Sequence, residues 1–205
     1  MYTISENSTY EIVEKKSKFI ANLIYVESKE EAENIIKEYK KKYYDARHNC
    51  YAYRVLNQDE IYDKSSDDGE PSGTAGAPML NLLQKNDLCN VIIIVTRYFG
   101  GILLGTGGLV RAYSGATTGA IDNCKKARIQ KGTGYQIEVD YSNYQALQYY
   151  CNKNKINIKN SEYNENIICT LEMSDSIKDS FLEDLNNKKL NILEIKNQKD
   201  IMIIE

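Results

Sequence analysis

VIIIVTRYFGGILLGTGGLVRAYSGA, Val91 to Ala116, holds five of the chain's 12 glycines between two arginines, Arg97 and Arg111. Val91 to Val95 is apolar at every position, as expected of a central strand covered on both faces. The glycine segment follows, and then a helix expected to start near Gly107 or Gly108 and run to about Ala127. Glycine permits positive φ and lets another group approach the main chain closely. A helix opening at Gly107 or Gly108 has unpaired N–H groups and a partial positive charge at its mouth. Arg111 in the first turn leans back toward the loop, and Arg97 arrives from the strand. Arg97, Tyr98, Gly100, Gly101, Gly105, Gly107, Gly108 and Arg111 are therefore candidate ligands for a phosphate-like anion or for RNA. A second reading stands beside this one. Ala112, Gly115, Ala116, Gly119 and Ala120 form a stripe of small residues on which a sheet can pack, and both arginines can be paired internally. No GK[ST] follows the glycines, so the nucleotide-hydrolysing P-loop is absent.

Upstream lies KSSDDGEPSGTAG, Lys64 to Gly76, the longest polar and glycine-rich segment. Asp67, Asp68 and Glu70 can bond local amides in a turn, neutralise Arg97 and Arg111, or hold a divalent metal. Ser72 or Thr74 can cap the helix APMLNLLQKND, which has Pro78 near its start. An EF-hand fails, because the positions that need glycine and glutamate hold Asp68 and Thr74. HNCYAYRVL, with His48 and Arg54, reads as a strand. Earlier still, YEIVEKKSKFIANLIYVE gives two short strands with Phe19, Ala21, Leu23 and Tyr25 on one face. Ser28 and Glu31 then open a helix with a capping box. Its outer face carries Lys37, Lys40, Lys41 and Lys42, read as solvated. Downstream, the character changes at Gly132–Gly134. YQIEVDY, SNYQALQYYCNKN, KINIKNSEY, NIICTLEM, SDSIKDSFLEDLNNK and ILEIKNQKDIMIIE read as strand, helix, strand, strand, helix, strand. Ser142 and Gln145 suggest a second capping box. This is the ferredoxin-like βαββαβ order. An α+β chain results, divided at 1–131 and 132–205.

Charge and cysteine usage narrow the classes. Up to Lys131, 18 Lys and Arg face 17 Asp and Glu; beyond it 8 face 12. Phosphate contacts, if any, belong to the first part. Five dispersed cysteines and one histidine exclude a disulfide framework and a His-rich metal site. No apolar run is long enough to span a membrane, and the N-terminus lacks the pattern of a signal peptide, so a cytoplasmic location is expected. No catalytic residue, metal or cofactor is assigned.

KKSKFIA, HNCYAYR, DDGEPSGTAGAPML and VTRYFGGILLGTGGLVRAYSGA, in this order and spacing, resemble the IMPACT family, including its bacterial YigZ-type members. The matching blocks run from about Lys15 to Ala116. The resemblance implies a first domain like domain IV of elongation factor G and a ferredoxin-like second domain like its domain V. It also places His48, Asp67, Asp68, Glu70, Ser72, Thr74, Arg97, Tyr98, Arg111 and the loop glycines in family motifs. Eukaryotic relatives restrain the amino-acid-starvation kinase pathway through a further N-terminal domain, a partnership not expected of this chain. The function expected is a non-catalytic regulator linked to translation, contacting RNA, the ribosome or a translation factor. Two alternatives are an enzyme on a phosphorylated small molecule, with Asp68 as base and Arg111 as phosphate clamp, and a protein-interaction regulator without nucleic-acid binding.

Overall fold

A computed structural model describes residues 1–57 and 60–204 and divides into two compact units, Met1–Ala127 and Arg128–Glu205. The first contains β1 (Tyr2–Ile4), β2 (Ser8–Glu14), β3 (Ser17–Tyr25), α1 (Lys29–Lys42), β4 (His48–Asn57), β5 (Glu60–Ser66), α2 (Gly76–Lys85), β6 (Val91–Tyr98) and α3 (Thr106–Asn123). Its sheet is antiparallel in the order β2–β3–β6–β4–β5. The uninterrupted apolar run has the expected cause: β6 is central and covered twice. Val91, Ile93 and Val95 face the core beneath α2 and α3, while Ile92 and Ile94 join the smaller core beneath α1. Phe19, Ala21 and Leu23 share the first core, with Tyr25 packed at its margin.

The small-residue stripe on α3 works as packing. Ala112, Ala116 and Ala120 are buried, and a Cβ added to Gly119 would fall 2.0 Å from the Tyr10 ring on β2. At the other end of β2, Lys15 and Lys16 form a two-residue turn with φ of 44° and 64°. That is the left-handed pair that hairpin turns of this length require, usually met by Asn-Gly. β5 was not anticipated, since its sequence EIYDKSS carries no clean alternation.

β7 (Lys126–Val139), α4 (Tyr141–Lys153), β8 (Asn157–Tyr163), β9 (Ile167–Ser174), α5 (Asp175–Asn186) and β10 (Glu194–Ile204) follow, in the expected βαββαβ sequence. The strands stand in the order β10–β7–β9–β8, with every neighbouring pair antiparallel. The core lies on one face, where Tyr135, Ile137 and Val139 of β7 meet Leu171, Phe181 and Leu147. Two local expectations fail. α3 stops at Asn123, and β7 begins only three residues later. Gly132 and Gly134 are not punctuation but lie inside β7, where a Cβ on Gly132 would fall 2.3 Å from Ile203 and 2.5 Å from the Met173 carbonyl. Glycine there answers close approach within the sheet. α4 is capped by Asp140, which accepts from the Asn143 amide at 2.8 Å, and Ser142 only bonds that same carboxylate. The Ser28 cap holds, accepting from Glu31 N at 3.1 Å, but Glu31 reaches the amide of Glu27, one residue before the cap.

Candidate functional site

The acidic loop is occupied by its own protein. Asp67 Oδ1 accepts from the amides of Ala75 (2.9 Å) and Gly76 (2.8 Å), and Oδ2 from Gly73 (2.8 Å). Burial pushes its carboxyl up, yet the three N–H donors outweigh that and hold it below the ordinary carboxylate range. Asp67 thus caps α2 in place of the expected residues: Thr74 donates its hydroxyl to the Pro71 carbonyl at 2.6 Å, and Ser72 is exposed. Asp68, at φ 44°, accepts from Asn49 N at 2.7 Å and pairs with Lys40 at 2.5 Å. Both oxygens are engaged within the protein, and one lysine of the α1 face is not merely solvated.

Glu70 is the hub. Its side chain is 3% exposed; Oε1 accepts from Arg97 Nη1 at 2.6 Å and from the Tyr113 hydroxyl at 2.8 Å, and Oε2 lies 3.8 Å from His48 Nε2. His48 Nδ1 is 2.8 Å from the Asp68 carbonyl, and Cys50 Sγ lies 3.0 Å from the Asp67 carbonyl and 3.3 Å from the Tyr113 oxygen. Burial pushes the Cys50 thiol and the Tyr113 phenol far above their ordinary values, so both are protonated donors at neutral pH. Among the described residues no three of His, Cys, Asp and Glu are arranged to hold a metal.

The glycine loop is different. α3 starts at Thr106, with Gly105 (φ 72°) as N-cap, and no side chain caps it. A Cβ on Gly100 would fall 2.0 Å from the Lys16 carbonyl carbon, so this glycine admits the β2–β3 turn against the loop. At Gly107 a Cβ would meet only Arg111 Nη1, at 3.7 Å. Phe99 is 47%, Ile102 43% and Leu103 82% exposed. Tyr98 points aside and donates its hydroxyl to Asp45 at 3.0 Å.

The two arginines do not converge. Residue 97 shares the inward face of β6 with Val91, Ile93 and Val95, so its guanidinium is drawn inside. There it meets Glu70 and the Ser17 hydroxyl (3.4 Å) and lies over the Phe19 and Phe99 rings, while its Nε has no hydrogen-bond partner. The expectation of Arg97 as an open anion ligand is corrected: a charge at a buried strand position needs an internal counter-charge. Arg111 is exposed and lines a separate depression of about 180 Å³ with Ile12, Glu14, Lys15 and Gly108.

The acidic and glycine loops do meet. They bound a cleft of about 460 Å³ lined by Arg47, His48, Glu70, Pro71, Arg97, Phe99, Leu103, Leu104, Gly105, Thr106 and Leu109. Leu104 borders both depressions. Gly69 completes the cleft edge, whereas Asp67, Asp68, Ser72 and Thr74 line neither. Sequence reading missed Arg47, Ser17 and Cys50 as site residues, and named Tyr113 only as a position of the family pattern. Arg47 sits directly before the HNCYAYR strand, and that position alone hinted at it.

The Impact N-terminal domain model matches residues 15–121, and a domain of unknown function, DUF1949, matches 137–188. IMPACT family member YvyE of Bacillus subtilis is 35% identical over 196 residues, covering 94% of this chain and 90% of that one. IMPACT family member YigZ of Escherichia coli is 37% identical over 150 residues, 73% of this chain and 74% of its own. A solved crystal structure described as a hypothetical protein aligns with a TM-score of 0.66 at 31% identity, over 96% of this chain and 97% of that one. On these matches, the chain belongs to the IMPACT family.

Proposed function

We propose that this chain is a translation-linked binding protein that meets RNA, the ribosome or a translation factor through the surface around its acidic and glycine loops. One observation carries the reading. The acids of the motif are spent internally, Asp67 on amides, Asp68 on Lys40 and Asn49, and Glu70 on Arg97. The nearby cations Lys15, Lys16, Arg47 and Arg111 are exposed and, among the described residues, without an ion pair. A chain of net charge −3 therefore keeps an anion-seeking face. The link to translation comes from the family resemblance, which also likens the two units to domains IV and V of elongation factor G.

Co-sedimentation with purified ribosomes tests the reading. If the four cations each neutralise one phosphate, affinity falls about a hundredfold between about 50 and about 200 mM salt. Replacing all four by glutamate abolishes sedimentation at either salt. A wild-type chain that stays in the supernatant at low salt removes the ribosomal form of the proposal.

A further inference from the structure

We infer that the cleft between the acidic and glycine loops docks an acidic segment of a partner protein, with one aliphatic or aromatic side chain of that segment inserted among Leu103, Leu104 and Leu109. The inference rests on the binding role proposed above and names the kind of partner.

The walls decide the chemistry of the occupant. Phe99, Ile102 and Leu103 stand in water although each is large and apolar. Ile102 and Leu103 lie between Gly101 (φ 85°) and Gly105 (φ 72°), and Phe99 stands two residues before Gly101. From Gly101 to Leu104 the main chain makes no backbone–backbone hydrogen bond among the described residues, so its amides and carbonyls are open to an extended peptide. Contiguous exposed apolar side chains beside a concave surface mark a place where another apolar group is buried. The charge of the rim sets the rest. Arg47 stands on the cleft edge, and Lys15 and Arg111 stand across Leu104 in the adjoining depression, whose one acidic lining residue among the described residues is Glu14. Glu70, the carboxylate inside the cleft, is neutralised by Arg97 at 2.6 Å. An acidic main body with an apolar anchor complements both features.

RNA fits the rim but not the walls. A sugar–phosphate strand inserts no aliphatic group among leucines, and base recognition in single strands uses flat aromatic faces. The flat faces on these walls, among the described residues, are Phe99, with the Arg97 guanidinium carbon 5.6 Å from its centroid, His48, tethered to the Asp68 carbonyl at 2.8 Å, and Arg47 at the edge, against three leucines that a base does not use.

The test is selection of random displayed 12-residue peptides on the full chain, followed by fluorescence anisotropy of the recovered sequences. A twelve-nucleotide oligouridylate is run in parallel. The expected consensus is a single Leu, Ile or Phe among Asp and Glu. Replacing that residue by Ala, or Leu103→Ser in the protein, weakens binding at least about tenfold, the loss of one buried leucine side chain. Leu103 is 82% exposed, so this change leaves the fold in place. Arg47→Glu weakens the same peptides and steepens the loss for the most acidic of them. Failure to recover any peptide, recovery of sequences lacking acids or an apolar anchor, or indifference to Leu103→Ser overturns the inference. So does binding of the oligouridylate that Leu103→Ser weakens and the peptides cannot displace. A chain that binds such peptides but not ribosomes keeps this inference and loses the ribosomal proposal; the reverse result does the opposite.

Discussion

Two loops face each other across one cleft and are built on opposite terms. In the acidic loop every carboxylate has partners inside the protein: amides for Asp67, an amide and a lysine for Asp68, an arginine and a tyrosine for Glu70. In the glycine loop the main chain from Gly101 to Leu104 has no backbone partner among the described residues, and three large apolar side chains stand in water. The difference teaches that motif density is no guide to which residues face outward. The charged loop is the framework, and the apolar one is the open surface.

The largest effect comes from breaking the framework at its hub. Glu70→Ala strands Arg97 without its counter-charge and costs about 3–5 kcal/mol of stability, read from urea unfolding. Glu70→Gln combined with Arg97→Met removes both charges together and is expected to cost less than Glu70→Ala alone; a larger cost refutes the account of Arg97 as a buried charge that needs Glu70.

A smaller effect sharpens the contrast within the glycine loop. Gly100→Ala drives a methyl into the Lys16 carbonyl and costs about 1–3 kcal/mol. Gly107→Ala meets only the tip of Arg111 and changes stability by under about 1 kcal/mol, in the stabilising direction because alanine suits a helix better. Equal thermal shifts for the two would show that the turn does not press on the loop as described.

The smallest of the destabilising effects is a cap. Asp67→Ala costs about 1–2 kcal/mol near neutral pH. Its folded carboxyl is held low, so the contribution is complete above the unfolded value of about 4 and is lost as pH falls through the folded one. Wild type and variant should therefore converge in stability as the pH is lowered below about 4. A gap that stays constant into strong acid would mean the carboxylate's charge plays no part.

Much of the architecture was legible. Val91–Val95 announced a doubly covered strand, the 19/21/23 alternation named a buried face, and the second unit's periodicities gave its βαββαβ order. What failed were features fixed by distant partners. Gly132 reads as a turn until Ile203 and Met173 are known to crowd it. Ser72 and Thr74 are good local caps, yet Asp67, eight residues before Ala75, reaches the helix first. Arg97 and Glu70 are 27 residues apart, and only the sheet brings them together. For the cleft, the sequence named many of the residues but not their division into framework and surface. Burial, rather than residue type, makes that division.

The turn at Lys15 and Lys16 carries a cost of its own. Each lysine is held in a left-handed backbone that disfavours L residues by roughly 1–2 kcal/mol, at a corner where Asn-Gly would sit at ease. If the proposed binding role holds, engineering that corner for hardiness is self-defeating: the relaxed turn would yield a more heat-resistant molecule with two outward charges fewer. Under the proposed binding role, robustness and grip are traded at a single dipeptide.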